Sequence, residues 1–262
     1  MSIVTLDGGM IHYEVLGRGR PLVFLHSWVG SWRYWIPTMQ AASISYRTYA
    51  IDLWGFGDTV KRPEYYHLEE QVKLVSDFMD EMGIMKIALV GHGLGAVVGL
   101  QFVLRYPARV DRLILTSIPI NTSGMNPRLK SASLAELTDW LLSKVPEAEP
   151  ARVETPKTDP QAIMTSLDDL QQLNLLDLSM QLTTACLYVH GQNDPAVELP
   201  TLDLLATLPA QTHEVVFEAS GHFPMLDEPT QYNRLLADFL SLPSGESPRQ
   251  LQLKEEWKRR IR

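Results

Sequence analysis

The turn at residues 89–96, LVGHGLGA, has the spacing of a nucleophile-bearing turn but no nucleophile at its centre. A strand that runs through Gly-x-Ser-x-Gly into a helix presents a serine hydroxyl for attack on a carbonyl carbon. Gly91 and Gly95 fit the outer positions of this pattern, and Gly93 stands where the serine is expected. The pattern therefore predicts a site for covalent chemistry that lacks its attacking atom.

The elements that would position this turn are typical of an α/β fold. Apolar runs alternate with helical patterns, which predicts a mostly parallel sheet of about eight strands with helices on both faces. A hairpin begins the chain, and strand-like runs follow at 21–26, 46–52, 86–90, 111–117, 185–190 and 212–217. Helices are predicted at 67–83, 94–107 and 228–240. The turn thus lies between a strand and a helix.

Residues 121–184 interrupt the alternation and predict a small helical lid inserted between two strands. Ser133 and Glu136 have capping-box spacing, and Asp159-Pro160 predicts the start of another helix. The segment 145–160, rich in proline and charge, is predicted to be a loop. We expect one domain over residues 1–246, which includes this insertion, and a separate tail at 247–262.

The composition excludes several classes of protein. Of 262 residues, 45% are apolar and 21% are charged, as in soluble globular proteins, and the net charge of −8 argues against general nucleic-acid binding. A single cysteine excludes an internal disulfide, and neither a metal site nor another cofactor site is predicted. No apolar run reaches ~18 residues and no signal peptide is recognised, so we expect a cytoplasmic protein without a transmembrane segment.

Several motifs, in a consistent order, make the chain resemble the α/β-hydrolase superfamily from about Val4 to Leu242. The motifs are HSWVGSW at 26–32, DLWGFGDT at 52–59, GHGLG at 91–95, HGQNDPAV at 190–197 and SGHFPMLDEP at 220–229. The resemblance implies an α/β-hydrolase fold and a relation to carboxylic-ester or C–C-bond hydrolases. It also implies the order nucleophile, acid, histidine along the chain.

The resemblance assigns a role to each motif. Asp194 would be the acid that orients a histidine, His222 would be the general base, and Gly93 occupies the nucleophile position. The backbone N–H groups of Trp28 and Leu94 would be the oxyanion donors. The attacking atom is missing, whereas the base, the acid and the donors are formally in place.

Two positions depart from the family pattern. Ser27 stands where the oxyanion loop usually has glycine, and Gly93 stands where the elbow usually has serine. Ser27 is one alternative nucleophile, because we expect its loop to approach His222, and its simpler role is that of a polar loop residue. His92 is a weaker alternative, since a sharp turn projects only its central residue into the site.

Aromatic residues predict the character of the ligand. Four tryptophans lie in or just after loops at the carboxyl ends of strands, where ligands bind in open α/β sheets. We expect Ser27, Trp54 and Trp140 to line the pocket, with Trp140 closing over it from the insertion. The predicted ligand is a small apolar or aromatic molecule.

Three functions remain open from the sequence. The first is a family member without conventional serine hydrolase activity that keeps a pocket for a small apolar ligand, as Gly93 suggests. The second is an active enzyme in which His222 and Asp194 activate water or the substrate directly. The third is an interaction protein that binds a membrane surface or a protein through residues 247–262, where Leu253, Trp257 and Ile261 form an apolar stripe on a basic helix.

Overall fold

One sheet of eight strands runs through residues 2–251, the part of the chain that the computed structural model describes. The strands are β1 (Ser2–Leu6), β2 (Gly9–Gly17), β3 (Arg20–Leu25), β4 (Tyr46–Ile51), β5 (Ile87–His92), β6 (Val110–Thr116), β7 (Ala185–Gly191) and β8 (Thr212–Phe217). Their order across the sheet is β1-β2-β4-β3-β5-β6-β7-β8. The pairs β1–β2 and β2–β4 are antiparallel, and all the other pairs are parallel. The predicted α/β class and strand number are confirmed.

Helices cover the sheet and fill the connections. The α-helices are α1 (Ile36–Ala42), α2 (Leu68–Glu81), α3 (Leu94–Arg105), α4 (Arg128–Ser131), α5 (Leu134–Leu141), α6 (Glu149–Glu154), α7 (Pro160–Gln171), α8 (Leu175–Met180), α9 (Leu202–Thr207), α10 (Pro224–Asp227) and α11 (Pro229–Leu240). Helix α2 packs against α3, and α1 packs against α11. All six residues of β5 are buried, as expected for a central strand with both faces covered.

The segment between β6 and β7 is helical, and it differs from the sequence prediction in one place. The capping box of Ser133 and Glu136 begins α5, and Asp159 caps α7, as predicted. The predicted loop at 145–160 was wrong, because it contains α6 and short 3-10 turns on either side. Glu154 explains the difference: its buried carboxylate pairs with Arg33, 3.0 Å away, an interaction between distant parts of the chain that local composition does not reveal.

The parallel strands bring the site motifs to one edge of the sheet. The motif at 26–32 follows β3, the turn at 91–95 follows β5, and the motif at 190–197 spans the end of β7. The motif at 220–229 follows β8. Because parallel strands end at the same edge, these four segments converge.

The chain after α11 returns to the opposite edge of the sheet. Pro248–Gln250 form a 3-10 turn, and the Arg249 guanidinium donates to the carbonyls of Leu208, Pro209 and Thr212 near the start of β8. The stripe predicted on residues 253–261 lies outside the described residues. Among residues 2–251, no helix combines the length and the apolar character needed to span a membrane.

Candidate active site

The turn after β5 brings Gly93 to the centre of the site. Gly93 has φ +51° and ψ −111°, a backbone conformation that L side chains rarely adopt and glycine adopts freely. The turn packs tightly on β3, since a Cβ atom on Gly95 would overlap the Leu25 carbonyl oxygen. Helix α3 begins at Leu94, directly after Gly93. The backbone therefore has the form of a nucleophile elbow whose central residue carries no side chain.

His222 and Asp194 come together from the loops that follow β8 and β7. The Nδ1 atom of His222 lies 2.8 Å from Oδ2 of Asp194, and the His222 side chain is fully buried. Oδ1 of Asp194 accepts hydrogen bonds from the N–H groups of Ala196 and Val197, at 2.8 and 3.2 Å. Burial acts to raise the pKa of Asp194, but His222 and these N–H groups outweigh it and hold the pKa below its usual value.

The ionised carboxylate determines where His222 carries its proton. Asp194 can only accept, so Nδ1 of His222 donates to it and Nε2 is left with a lone pair. Nε2 lies 3.5 Å from Oγ of Ser27, which is fully buried. The geometry therefore places a basic nitrogen next to a hydroxyl group, although the hydroxyl does not come from the elbow.

Ser27 and Gly93 face each other across the site. A Cβ atom built on Gly93 would overlap Oγ of Ser27 and lie 2.9 Å from Cβ of Ser27. It would also lie 3.2 Å from Cε3 of Trp28. The Ser27 side chain thus fills the space that an elbow side chain would enter.

His92 connects the loops that carry Ser27 and His222. Its Nε2 atom lies 2.8 Å from the His222 carbonyl oxygen, which can only accept, so Nε2 carries the proton. Burial, aided by the positive charges that His222 and His26 can carry, holds the pKa of His92 well below 6.5 and keeps the ring neutral. Nδ1 therefore accepts from the Tyr34 hydroxyl, 2.9 Å away.

The same network fixes both backbone groups of Ser27. Its N–H donates to the Tyr34 hydroxyl at 2.9 Å, and its carbonyl oxygen accepts from Nδ1 of His26 at 2.7 Å. Nε2 of His26 accepts from the N–H of Leu53 at 3.0 Å, so the imidazole holds two loops together. His26 and His92 position the site, and their ring nitrogens are occupied by these contacts.

The two predicted oxyanion donors lie directly after the two facing residues. Trp28 follows Ser27, and Leu94 follows Gly93 at the first turn of α3. Within residues 2–251 neither N–H donates to a protein acceptor. Their role as donors stays a prediction, because it concerns an oxyanion that forms only during reaction.

The tryptophans that were predicted near the ligand lie in different places. Nε1 of Trp28 donates to Oγ of Ser166 on α7 at 3.0 Å, so the ring extends from the elbow to the helical insertion. Trp54 stacks on Tyr65 with ring centroids 4.7 Å apart and contacts the backbone at Gly9. These contacts direct the Trp54 ring toward the β1–β2 hairpin, whereas Trp28 borders Gly93.

Trp140 lies on the outer side of the loops that carry Asp194 and His222. It lines a surface cleft together with Asn193 and Gly221, which are the neighbours of Asp194 and His222 in the chain. The guanidinium of Arg128 lies over its ring, 4.9 Å from the ring centroid. Trp140 is therefore beside the site, as part of the insertion.

A second polar cluster braces the loop after β4. His12, Asp52 and Asp58 hold their potential ligand atoms within 4.8 Å of one another, the one such group found in the described part of the chain. The Asp52 carboxylate already accepts from the N–H groups of Trp32 and Asp58 and contacts Nδ1 of His12, each at 2.9 Å. These contacts explain the cluster as a structural support for the loop.

Sequence reasoning missed three residues that hold the site. Tyr34 joins Ser27 to His92, Ser117 donates to the His222 carbonyl oxygen at 2.9 Å, and Ser166 receives the Trp28 indole N–H. Ser117 also has a positive φ of 50°, a strained backbone directly after β6. None of the three belongs to a recognisable motif, and their partners His92, His222 and Trp28 are distant in sequence.

Comparisons with known proteins agree with this architecture. The family model described as alpha/beta hydrolase fold matches residues 20–162. The pimeloyl-(acyl-carrier protein) methyl ester esterase of Vibrio parahaemolyticus is 25% identical over 254 residues, which covers 87% of this chain and 97% of that protein. The 2-hydroxy-6-oxo-2,4-heptadienoate hydrolase of Pseudomonas putida is 27% identical over 272 residues, covering 91% and 95%.

A solved structure with low sequence identity also supports the fold. A hydrolase from Pseudomonas aeruginosa PA01 matches with a TM-score of 0.81 at 19% identity, covering 92% of this chain and 98% of that one. The similarities therefore extend over nearly all of the elements that carry the candidate site.

Proposed function

Because this chain belongs to the α/β-hydrolase fold family and is related to esterases, we propose that it hydrolyses carboxylic esters with His222 as its general base. The observation that carries the proposal is the 2.8 Å contact between His222 and the buried carboxylate of Asp194. An imidazole held in this tautomer accepts a proton at Nε2 and returns it to a leaving group. Burial of the pair is costly unless both groups are paired, as they are here.

The surroundings favour an ester with a small apolar or aromatic part. The apolar ring of Trp28 borders Gly93 and is buried. The N–H groups of Trp28 and Leu94 would stabilise the developing oxyanion, an interaction worth roughly 2.7–4 kcal/mol for each donor. The two relatives named above are a methyl ester esterase and a hydrolase of an oxo-heptadienoate, which supports a carbonyl compound as substrate.

The proposal is tested with p-nitrophenyl acetate, butyrate and hexanoate. His222→Ala should lower kcat/KM by roughly 10²–10⁴-fold, because a positioned general base contributes that much. His67→Ala is the matched control, since His67 is 59% exposed and pairs with Asp169 on the surface. Equal rates for the wild-type protein and His222→Ala on every ester would contradict the proposal.

Gly93 favours a second candidate, a protein that binds a small apolar ligand without turnover. An elbow residue without a functional group cannot attack, and the site would then serve for binding alone. This alternative predicts that the aryl esters raise the unfolding temperature of the wild-type protein and are recovered intact. The ester panel therefore distinguishes the two candidates.

A further inference from the structure

A hydroxyl group is present at the elbow, although it comes from the opposite loop. A Cβ atom on Gly93 would overlap Oγ of Ser27, and this oxygen lies 3.5 Å from Nε2 of His222. A side chain that only filled this space would need no hydroxyl. Among the hydrogen bonds of the described residues, the Ser27 hydroxyl contacts His222 Nε2, the nitrogen left with a lone pair.

We propose that Ser27 is the nucleophile of this enzyme, attacking the ester carbonyl from the loop after β3 while Gly93 leaves the space for its side chain. This inference rests on the proposed ester hydrolysis and names the group that performs the attack. The 3.5 Å separation exceeds the reach of a strong hydrogen bond, but such bonds are commonly long before substrate binds.

Relative to the family pattern, serine and glycine are exchanged between positions 93 and 27. This exchange leaves the two predicted oxyanion donors in place. Trp28 follows Ser27 and Leu94 follows Gly93, so each predicted oxyanion donor stands next to one of the two facing positions. Moving the hydroxyl from position 93 to position 27 exchanges the roles of the two loops. The pair of N–H donors stays the same.

The backbone around Ser27 is fixed on both sides, as a nucleophile requires. Tyr34 accepts from its N–H, and His26 donates to its carbonyl oxygen. Tyr34 is itself held by His92, which also contacts the backbone of His222. The hydroxyl and the base are therefore positioned by one connected network, and their relative placement does not depend on a flexible loop.

Glycine at position 93 is a requirement of this arrangement. With any larger residue, the new Cβ atom would overlap Oγ of Ser27 and approach Trp28. A serine at both positions would crowd the site without adding a second productive hydroxyl. The two departures from the family pattern are thus explained together.

The reaction follows in balanced steps. Oγ of Ser27 forms a bond to the ester carbonyl carbon while His222 Nε2 takes the hydroxyl proton. The tetrahedral intermediate expels the alcohol oxygen, which receives that proton from His222, and an acyl-Ser27 ester remains. Water then attacks the acyl carbon and gives its proton to His222, which returns a proton to Ser27 Oγ as the acid leaves. The net reaction is ester plus water to acid plus alcohol.

The test locates the acyl group and the probe on the chain. Wild-type protein is quenched during turnover of p-nitrophenyl butyrate, or treated with a fluorophosphonate, and mapped by peptide mass spectrometry. We expect both modifications on Ser27. Ser27→Ala should lose them and lose roughly 10³-fold or more in kcat/KM, because a site without its nucleophile keeps only residual catalysis. Ser241→Ala, an exposed serine, is the matched control.

A second variant returns the hydroxyl to the elbow. The double substitution Ser27→Gly with Gly93→Ser should regain labelling, now at position 93, because the base and the donors serve either loop. Ser27→Gly alone should remain unlabelled and inactive. The unfolding midpoint in urea of each variant shows that the losses do not come from unfolding.

The outcomes separate this inference from the proposed function. If Ser27→Ala keeps ester turnover and His222→Ala loses it, water is activated directly, so ester hydrolysis stands and the role of Ser27 is overturned. If the double variant is labelled but the wild-type protein is not, the hydroxyl of Ser27 is unreactive and the inference is overturned. Absence of labelling in both proteins overturns it as well, since His222 then activates a hydroxyl on neither loop.

Discussion

At the scale of single residues, Ser27 and Gly93 compete for one small volume beside His222. The volume holds one side chain, since a Cβ atom on Gly93 would overlap Oγ of Ser27. Because the interior is closely packed, such an overlap lowers the free energy of unfolding. The energetic coupling between the two positions is therefore measurable apart from any activity.

We expect Gly93→Ala to lower the free energy of unfolding by more than a backbone effect alone. The strained backbone conformation costs an alanine about 1–3 kcal/mol, and the overlap with Ser27 adds to it. In a Ser27→Gly background the overlap disappears, so the cost should fall, with a coupling energy of about 0.5–3 kcal/mol. Urea unfolding of the four proteins in this cycle measures the difference.

Gly83 provides the control for the backbone contribution. It has a similar φ of +64°, and a Cβ atom there would meet nothing within 4 Å. Gly83→Ala should therefore show the cost of a positive φ without the overlap. If Gly93→Ala costs no more than Gly83→Ala, and Ser27→Gly changes nothing, the two facing residues do not compete for space.

At the scale of elements, the strands could be predicted and the insertion only in part. Continuous apolar runs identify buried parallel strands, and capping residues such as Ser133 and Asp159 identify helix starts, because both signals are local. Helix α6 was missed because its stabilising contact joins Glu154 to Arg33. Long-range pairs of this kind have no signature in a single sequence.

The candidate site shows the same division between local and distant signals. Asp194 and His222 belong to motifs with a fixed spacing, and the structure brings their side chains into contact. Tyr34 and Ser117 could not be predicted, because Tyr34 joins Ser27 to the distant side chain of His92, and Ser117 donates to the distant backbone carbonyl of His222. The overlap between positions 27 and 93 likewise requires coordinates, although both substitutions are visible in the sequence.

His92, at the end of β5, should make stability depend on pH. The pKa of the buried ring lies well below 6.5, whereas the unfolded chain takes up a proton on this residue near its ordinary value. The stabilising contribution is therefore complete above pH 6.5 and is lost as the pH falls from there toward the folded-state pKa. Acid should weaken the link between Tyr34 and the His222 loop.

A comparison with His92→Gln isolates this contribution from the other histidines. Glutamine can donate to the His222 carbonyl oxygen and accept from Tyr34, but it does not titrate. The stability advantage of the wild-type protein over His92→Gln should shrink between about pH 7.5 and about pH 5. If the free energies of unfolding of the two proteins change in parallel with pH, His92 binds protons equally in the folded and the unfolded state.

At the scale of the whole molecule, the sheet separates the candidate site from Arg249, near the end of the described residues. The site lies at the carboxyl ends of the parallel strands, and Arg249 is anchored beside the start of β8 at the opposite edge. The last nineteen residues contain six Lys or Arg and three Glu in a chain of net charge −8. Arg249, near the end of the described residues, thus lies across the sheet from the candidate site.

We therefore expect removal of residues 252–262 to leave ester hydrolysis unchanged, because Arg249 and its carbonyl partners remain in place. The same truncation should lower binding to vesicles that contain anionic lipid, since each basic residue near such a surface contributes about 1 kcal/mol. Co-sedimentation at low and high salt measures this binding, with neutral vesicles as the control. A truncated protein that stays folded but loses turnover would show that the segment reaches the site, and equal vesicle binding would show that it does not act at a membrane surface.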